Sequence, residues 1–360
     1  MDRFRVALIG TSFGKTVQAV AFGEHSGFEL TAIAGSDGTK AAAIAAELGI
    51  PKGYGDWRSM LAEVQPDLVS VATPVDLHHP MVLAALDQGA HVLCEKPTAM
   101  HRFQAAEMHD RAVARGRIAA INHEFRFFPA RRHAVDLVRQ GAIGVPRRGE
   151  IFGRYALWAR PESRGMTWLS DRARGGGILG ALGSHHTDCL RTFFGEPRTV
   201  MASVRVDQPW RGTGAEARRA TADDACTLLY TFDGGATALI DLNATAPYRW
   251  ERFEIHGSEG TLRWDETGYL LWRLEPGRDP EELVIPAELE LERREGEPAL
   301  VAPFRRLIGR LHSAMSGGPV MDPDFRTAVA VQSALDAARE SELARTEVTI
   351  DIPVLTSVAP

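Results

Sequence analysis

The stretch Val6-Ala7-Leu8-Ile9-Gly10-Thr11-Ser12-Phe13-Gly14-Lys15 decides the fold. Four apolar residues run unbroken into a glycine, and a helix-like stretch from about Gly14 to His25 follows. A buried strand, a glycine turn and a helix open a βαβ unit. The same rhythm then repeats. Phe28–Ala34 reads as a strand and Ala-rich Thr39–Leu48 as a helix; Leu68–Ala72 is a strand stopped by Thr73-Pro74, and Leu77–Asp87 a helix. His91–Cys94, Phe103–Arg115 and Ile118–Asn122 continue the series as strand, helix and strand. Unbroken apolar strands alternating with amphipathic helices indicate an α/β, doubly wound parallel sheet covered on both faces by right-handed crossovers. Such sheets bind ligands outside the carboxyl ends of their strands.

The rhythm changes after about residue 123. Ala130–Gln140 reads as a helix, Arg147–Leu157 as a strand, and another helix follows Gly175-Gly176-Gly177. From Thr199 strands come in hairpin order. Thr227–Phe232 and Ala236–Leu242 flank Asp233-Gly234-Gly235, while Phe253–His256 and Thr261–Trp264 flank Gly257–Gly260. Arg211–Asp224 is polar and aperiodic and reads as a mobile loop. Late helices near 303–315 and 324–343 lead to a last strand, 348–352. The sequence thus predicts a Rossmann domain over 1–122 and, over 123–360, an α+β domain with a large, mostly antiparallel open-faced sheet.

Composition excludes several classes. The 360 residues carry 41 Lys+Arg against 47 Asp+Glu, a net charge of −6, so no basic surface for nucleic acid is expected. No apolar run reaches the ~20 residues that cross a membrane, and the strand-like start leaves no room for a signal peptide. Three dispersed cysteines suggest no disulfide framework, which points to a cytoplasmic protein. Only Lys15, Lys40, Lys52 and Lys96 are lysines among 41 basic residues. A lysine kept in an arginine-dominated chain suits a position where the group must release a proton.

The turn after the first strand has the chemistry of a dinucleotide site: glycine where backbone approaches a pyrophosphate, then a helix N-terminus offering N–H donors. The strict G-x-G-x-x-G pattern would place glycines at 10, 12 and 15; here stand Gly10, Ser12 and Lys15, with Gly14 displaced by one. At the end of the second strand, an acid normally holds the ribose hydroxyls of NAD. That spot holds Gly35, followed by the hydroxyl of Ser36, and Lys40 is within reach of a 2′-phosphate. The pattern favours NADP, while neighbouring Asp37 keeps NAD open.

Further clusters bring a family into view. Thr73-Pro74-Val75-Asp76-Leu77-His78, then His91–Pro97 with Glu95-Lys96-Pro97, then Gly175–Gly177 with Gly183-Ser184-His185-His186-Thr187-Asp188 resemble the glucose–fructose oxidoreductase / inositol dehydrogenase / rhizopine-catabolism (Gfo/Idh/MocA) family. The resemblance implies NAD(P)-dependent redox chemistry on sugars, cyclitols or related carbonyls, and homodimers or homotetramers formed through the open sheet. It implies that Gly10, Ser12, Phe13 and Gly14 line the pyrophosphate turn. Thr73, Pro74 and His78 would sit beneath the nicotinamide ribose, with Glu95 and Lys96 beside them and Pro97 fixing the loop. Lys96 would reach the substrate oxygen and His185 would exchange its proton. Oxidising an alcohol requires a proton acceptor as hydride leaves, and Lys or His is suited to that.

One departure stands out. The family usually has an acid or Asn four residues before the histidine, and here that residue is Ala181. Three functions therefore remain open: a sugar or polyol oxidoreductase, a nicotinamide-assisted reaction without net redox change (epimerisation, elimination or glycosidic cleavage), and a non-catalytic NAD(P)-binding sensor. No metal is expected, because adjacent helical residues such as His185 and His186 point about 100° apart. Cys94 reads as a small buried residue. Arg126 stands at the domain junction, where it could face the cleft. Arginines 154, 160, 164, 172 and 174 read as a solvated stretch, or as the recognition surface of a sugar acid.

Overall fold

The structure, a computed structural model, describes residues 3–356. Its described residues divide into two compact units, residues 3–124 with 291–329 and 353–356, and residues 125–290 with 330–352. The first contains, in chain order, β1 (Phe4–Ile9), a π-type turn (Gly14–Gln18) running into α1 (Ala19–Glu24), β2 (Phe28–Ala34), α2 (Gly38–Leu48), β3 (Lys52–Tyr54), α3 (Trp57–Val64) and β4 (Leu68–Val71). Then come α4 (His78–Asp87), β5 (His91–Cys94), α5 (Arg102–Arg115) and β6 (Ala119–Ile121). The sheet is parallel in the order β3-β2-β1-β4-β5-β6, so β1 and β4 meet where the winding reverses. Its strands bury Val6–Ile9, Ala32–Ala34, Leu68–Val71 and Val92–Cys94 almost completely, as a doubly covered sheet requires. The sequence reading passes over β3 and α3. Each is too short for periodicity to register, yet Gly53 marks the spot: a Cβ there would overlap the α2 backbone at Ala41.

The second unit contains α6 (Pro129–Arg139), β7 (Pro146–Arg154), a π-type turn (Leu179–Gly183) running into α7 (Ser184–Phe194), β8 (Pro197–Arg205), β9 (Trp210–Arg211) and β10 (Arg218–Arg219). β11 (Ala225–Phe232), β12 (Thr237–Asn243), β13 (Trp250–Gly257), β14 (Thr261–Trp264), β15 (Leu271–Leu274), β16 (Glu281–Leu283) and β17 (Val348–Thr349) follow. Nine strands form one sheet, β16-β15-β14-β13-β7-β12-β11-β8-β17, in which only β7 and β12 pair in parallel. One face buries Ile151, Leu228, Tyr230, Ile240, Phe253 and Ile255 with Ala130, Ala134 and Leu190 of α6 and α7. The other face carries the half-exposed Met201, Leu229 and Trp250. This is the one-sided, mostly antiparallel sheet that the hairpin pattern predicts.

The segment Arg211–Asp224 is not the mobile loop its composition suggests. Arg211 is fully buried, lies 4.5 Å over the Trp158 ring and reaches the equally buried Asp224 at 3.1 Å. It also donates to Ser170 Oγ at 3.2 Å and to the Gln208 carbonyl, while Asp224 accepts the Asp207 and Gln208 amides. A polar sequence is here a buried ion pair with its lone pairs filled. Counting polar residues cannot distinguish this from solvated loop.

The division of the chain differs from a single cut at 122/123: the boundary falls after Glu124, and two later stretches, residues 291–329 and 353–356, return to the first unit. The first of these stretches carries α8 (Val301–Met315). Phe304 packs edge-on to Phe22 at 5.7 Å, and His312 meets Phe4, Phe28 and His25 at 5.0–5.6 Å. α9 (Phe325–Ala344) gives its residues through Val329 to the first unit and the rest to the second. Such returns depend on aromatic faces far apart in sequence, which local patterning does not register.

Removing one partner of a buried pair leaves an uncompensated charge. Asp224→Ala should therefore lower the unfolding free energy by about 3–5 kcal/mol in urea titrations.

Candidate active site

The glycine turn is built by close approach. Gly10 has φ +126°, and a Cβ on it would overlap the carbonyl of Ala72, just past β4. The Gly10 amide donates to Ala34 O at 2.9 Å, which ties β1 to β2. Beyond it, the Lys15 and Thr16 amides both turn back to Ser12 O, at 3.1 and 3.0 Å. Among the described residues the amides of Thr11, Ser12 and Phe13 donate to nothing, and they stand at the start of a helix. An anion such as a pyrophosphate is what such donors accept, so these residues fit a dinucleotide without the second glycine.

At the end of β2 the missing acid has a steric cause. A side chain at Gly35 would come within 2.8 Å of Thr11 Cγ2. Asp37 is occupied as the N-cap of α2, its carboxylate accepting the Lys40 amide at 3.1 Å. Ser36 and Lys40 are exposed at this edge. Lys15 is held by Glu47 at 2.7 Å.

The loop after β5 holds the most constrained polar group. Glu95 is buried at 7% exposure, and its Oε1 accepts Gln18 Nε2 at 2.9 Å and Asn122 Nδ2 at 2.6 Å. Gln18 Oε1 in turn accepts the Ser70 hydroxyl at 2.8 Å. Burial pushes the Glu95 carboxyl up, opposed by the neighbouring Lys96 charge and by these amide donors. The Lys96–Pro97 peptide is cis. His78 is wholly buried: Nε2 lies 2.8 Å from Thr73 O, and Nδ1 lies 3.2 Å from both Pro97 O and Thr98 O. Burial pushes its imidazole down. It therefore clamps the loop after β4 to the loop after β5 instead of lining a surface.

In the second unit His185, at 2% exposure, stacks flat on Phe125, with ring centroids 3.8 Å apart and 7° between planes. Asp188 receives a bidentate Arg126 pair, both contacts at 2.6 Å, with Arg191 behind it at 3.5 Å. Arg126 thus anchors α7. Asp188 is committed to this pair and does not stand in for the acid absent at Ala181. The arginine stretch separates on inspection: Arg154 pairs with Asp241 at 2.6 Å, while Arg160, Arg164 and Arg172 are exposed. Glu150, Glu254 and His256 converge on the sheet. Arg148 and Arg263 already hold the two carboxylates at 2.6 Å, which leaves little charge for a cation.

Comparison with known proteins now decides the family. Residues 4–123 match the model of an oxidoreductase family with an NAD-binding Rossmann fold, and residues 132–263 match the GFO/IDH/MocA C-terminal domain. D-Apiose dehydrogenase of Paraburkholderia graminis is 30% identical over 269 residues, covering 73% of this chain and 68% of its own. The chain belongs to the Gfo/Idh/MocA oxidoreductase family. Levoglucosan dehydrogenase of Pseudarthrobacter phenanthrenivorans is 27% identical over 288 residues, 73% of each chain. An NAD-binding oxidoreductase of Klebsiella pneumoniae superposes with a TM-score of 0.87 at 28% identity, over 97% of this chain and 99% of that one.

This Gfo/Idh/MocA chain brings Gly10, Ser12, Phe13, Gly14, Ser36, Lys40, Thr73, Pro74, Glu95 and Lys96 to the carboxyl ends of the parallel strands in its first unit. His78 lies beneath them and His185 belongs to the second unit. Sequence reasoning missed Gln18 and Ser70. The signal was available for Gln18: a polar residue on the apolar face formed by Val17, Ala21 and Phe22.

Gln18→Leu removes one donor from a buried carboxylate and the acceptor of a buried hydroxyl. We expect a loss of about 1–3 kcal/mol in denaturant unfolding. Glu95 also has a pH signature. Its folded pKa lies above its unfolded value, so the folded state binds the proton more tightly, and stability falls as pH rises from the ordinary carboxylate range through the raised value. Glu95→Gln should remove that slope from a stability–pH series.

Proposed function

We propose that the protein is an NAD(P)-dependent dehydrogenase or reductase of a sugar, cyclitol or related polyol, with NADP as the favoured cofactor and Lys96 and His185 as its proton-exchange groups. The observation that carries this is the donor set at the carboxyl edge of the first sheet. Open amides of Thr11–Phe13 stand at a helix start, with Lys96 on the same edge next to a carboxylate fixed by Gln18 and Asn122. When bound, the dinucleotide supplies the two-electron chemistry through its nicotinamide. The chain supplies the rest. Gly10 lets backbone approach the pyrophosphate, and the absence of a side chain at Gly35 with Lys40 nearby suits a 2′-phosphate. The Lys96 amine holds the substrate oxygen and gives or takes its proton. The face-on stack against Phe125 fixes the plane of the His185 ring, as a proton-exchanging imidazole requires. The dehydrogenases and reductases among its relatives support the substrate class. The exposed sheet face with Met201, Leu229 and Trp250 is the proposed surface for a homodimer or homotetramer, in the cytoplasm.

Ala181 favours a second reading, in which transient oxidation drives elimination, epimerisation or glycosidic cleavage without net redox change. Nucleotide retained through purification, with product formed and no change in nicotinamide absorbance, would establish it.

Fluorescence titration with NADPH and NADH tests the cofactor assignment: tighter NADPH binding supports the Gly35–Lys40 reading, and tighter NADH binding replaces it with Asp37. Lys96→Met should cut turnover of an accepted sugar by about 10²–10⁴ and leave the dinucleotide Kd within about twofold. Undiminished turnover would remove Lys96 from the mechanism.

A further inference from the structure

Arg131, in the first turn of α6, is only 6% exposed, yet among the described residues it makes no hydrogen bond and no ion pair. What holds it is two phenyl faces, Phe125 at 5.1 Å and Phe253 at 4.7 Å from the guanidinium carbon. A guanidinium covered on its faces keeps its N–H groups in the plane between the rings. None of its nitrogens is among the fully enclosed atoms without a partner, so the donors of this largely covered side chain stay open to solvent and to a ligand.

Two more polar groups of the same neighbourhood are short of partners. The Tyr155 hydroxyl, on a residue 8% exposed, bonds to nothing among the described residues. It lies over Gly153, where a Cβ would overlap it, and Gly153 is the cross-strand partner of Glu251. The Glu251 side chain is 8% exposed, and among the described residues its ion-pair partner is Arg249, at 3.3 Å from Oε1. Burial pushes the Tyr155 phenol and the Glu251 carboxyl up, and both sense the charge of Arg131. Phe125, which covers Arg131, is the ring on which His185 stacks.

We propose that Arg131, Tyr155 and Glu251 form a hydroxyl-recognition subsite of the second unit, which takes two neighbouring hydroxyls of a neutral sugar or cyclitol. The inference deepens the proposed function and rests on it for the substrate class. One hydroxyl oxygen accepts from Arg131 while its proton goes to Glu251; Tyr155 donates to the second. A paired donor and acceptor fit a diol. A sugar acid would bring its carboxylate against that of Glu251 and is disfavoured.

The test uses the full chain saturated with its preferred nicotinamide cofactor. Saturation-transfer NMR reads binding of D-glucose, D-xylose, myo-inositol and D-gluconate to the wild type, Tyr155→Phe and Glu251→Gln. At least one neutral ligand should bind the wild type, and each variant should weaken it about tenfold or more, as loss of one buried hydrogen bond implies. Melting temperature and cofactor Kd should be unchanged; should Glu251→Gln fail to fold, Tyr155→Phe, which removes a single oxygen, decides alone. No neutral ligand bound, equal affinity in wild type and variants, or D-gluconate preferred would each overturn the subsite. The two proposals fail separately. Sugar turnover with KM unmoved in both variants sinks the subsite and keeps the oxidoreductase; Tyr155-dependent binding without any redox change does the reverse.

Discussion

A carboxylate at the end of an apolar parallel sheet must be neutralised or surrounded by donors, and the first unit is organised around that demand. Glu95 sits where β5 ends, and its oxygen is shared by an amide from the helical stretch after β1 and another from the end of β6. The hydroxyl on β4 completes the chain through Gln18. Three strands and the first helix therefore converge on one carboxylate. Because Lys96 is the next residue, its backbone position is fixed by the same bonds. The glycine turn inherits this too: Gln18 closes the π-type turn that begins at Gly14.

Much of this was legible in the sequence because parallel sheets write themselves as unbroken apolar runs. β2 and β5 were read to the residue, and β1, β4 and the hairpin strands to within a few. What periodicity could not give was anything held by partners distant in sequence. Arg211 and Asp224 looked like solvated loop because their pairing depends on Trp158 and Ser170, far upstream. The site divides along the same line. Glycines and the Glu95-Lys96-Pro97 cluster are local and were found. Arg131, Tyr155 and Glu251 are spread over 120 residues and share a neighbourhood only through sheet register.

Three departures from the usual pattern have local compensations or lack them. Ser12 replaces a glycine, and its carbonyl is used to start the helix. Gly35 replaces an acid, and the β-branched Thr11 occupies the approach, so a side chain at position 35 requires Thr11 to turn aside. Ala181 replaces an acid or Asn, and nearby Asp188 is fully engaged by Arg126. The first two leave the backbone of the glycine turn intact. The third leaves position 181 without a polar side chain.

The return of residues 291–329 to the first unit has a consequence for biosynthesis. On a ribosome, the amino-terminal Rossmann sheet can form early, but the ring faces of Phe22, Phe28 and Phe4 stay uncovered until Phe304 and His312 have emerged. The intervening stretch of roughly the length of a whole domain must be made first. Nascent chains would thus carry an apolar patch through most of translation, the kind of surface that chaperones hold. A truncation at the sequence-level domain boundary would keep that patch for good.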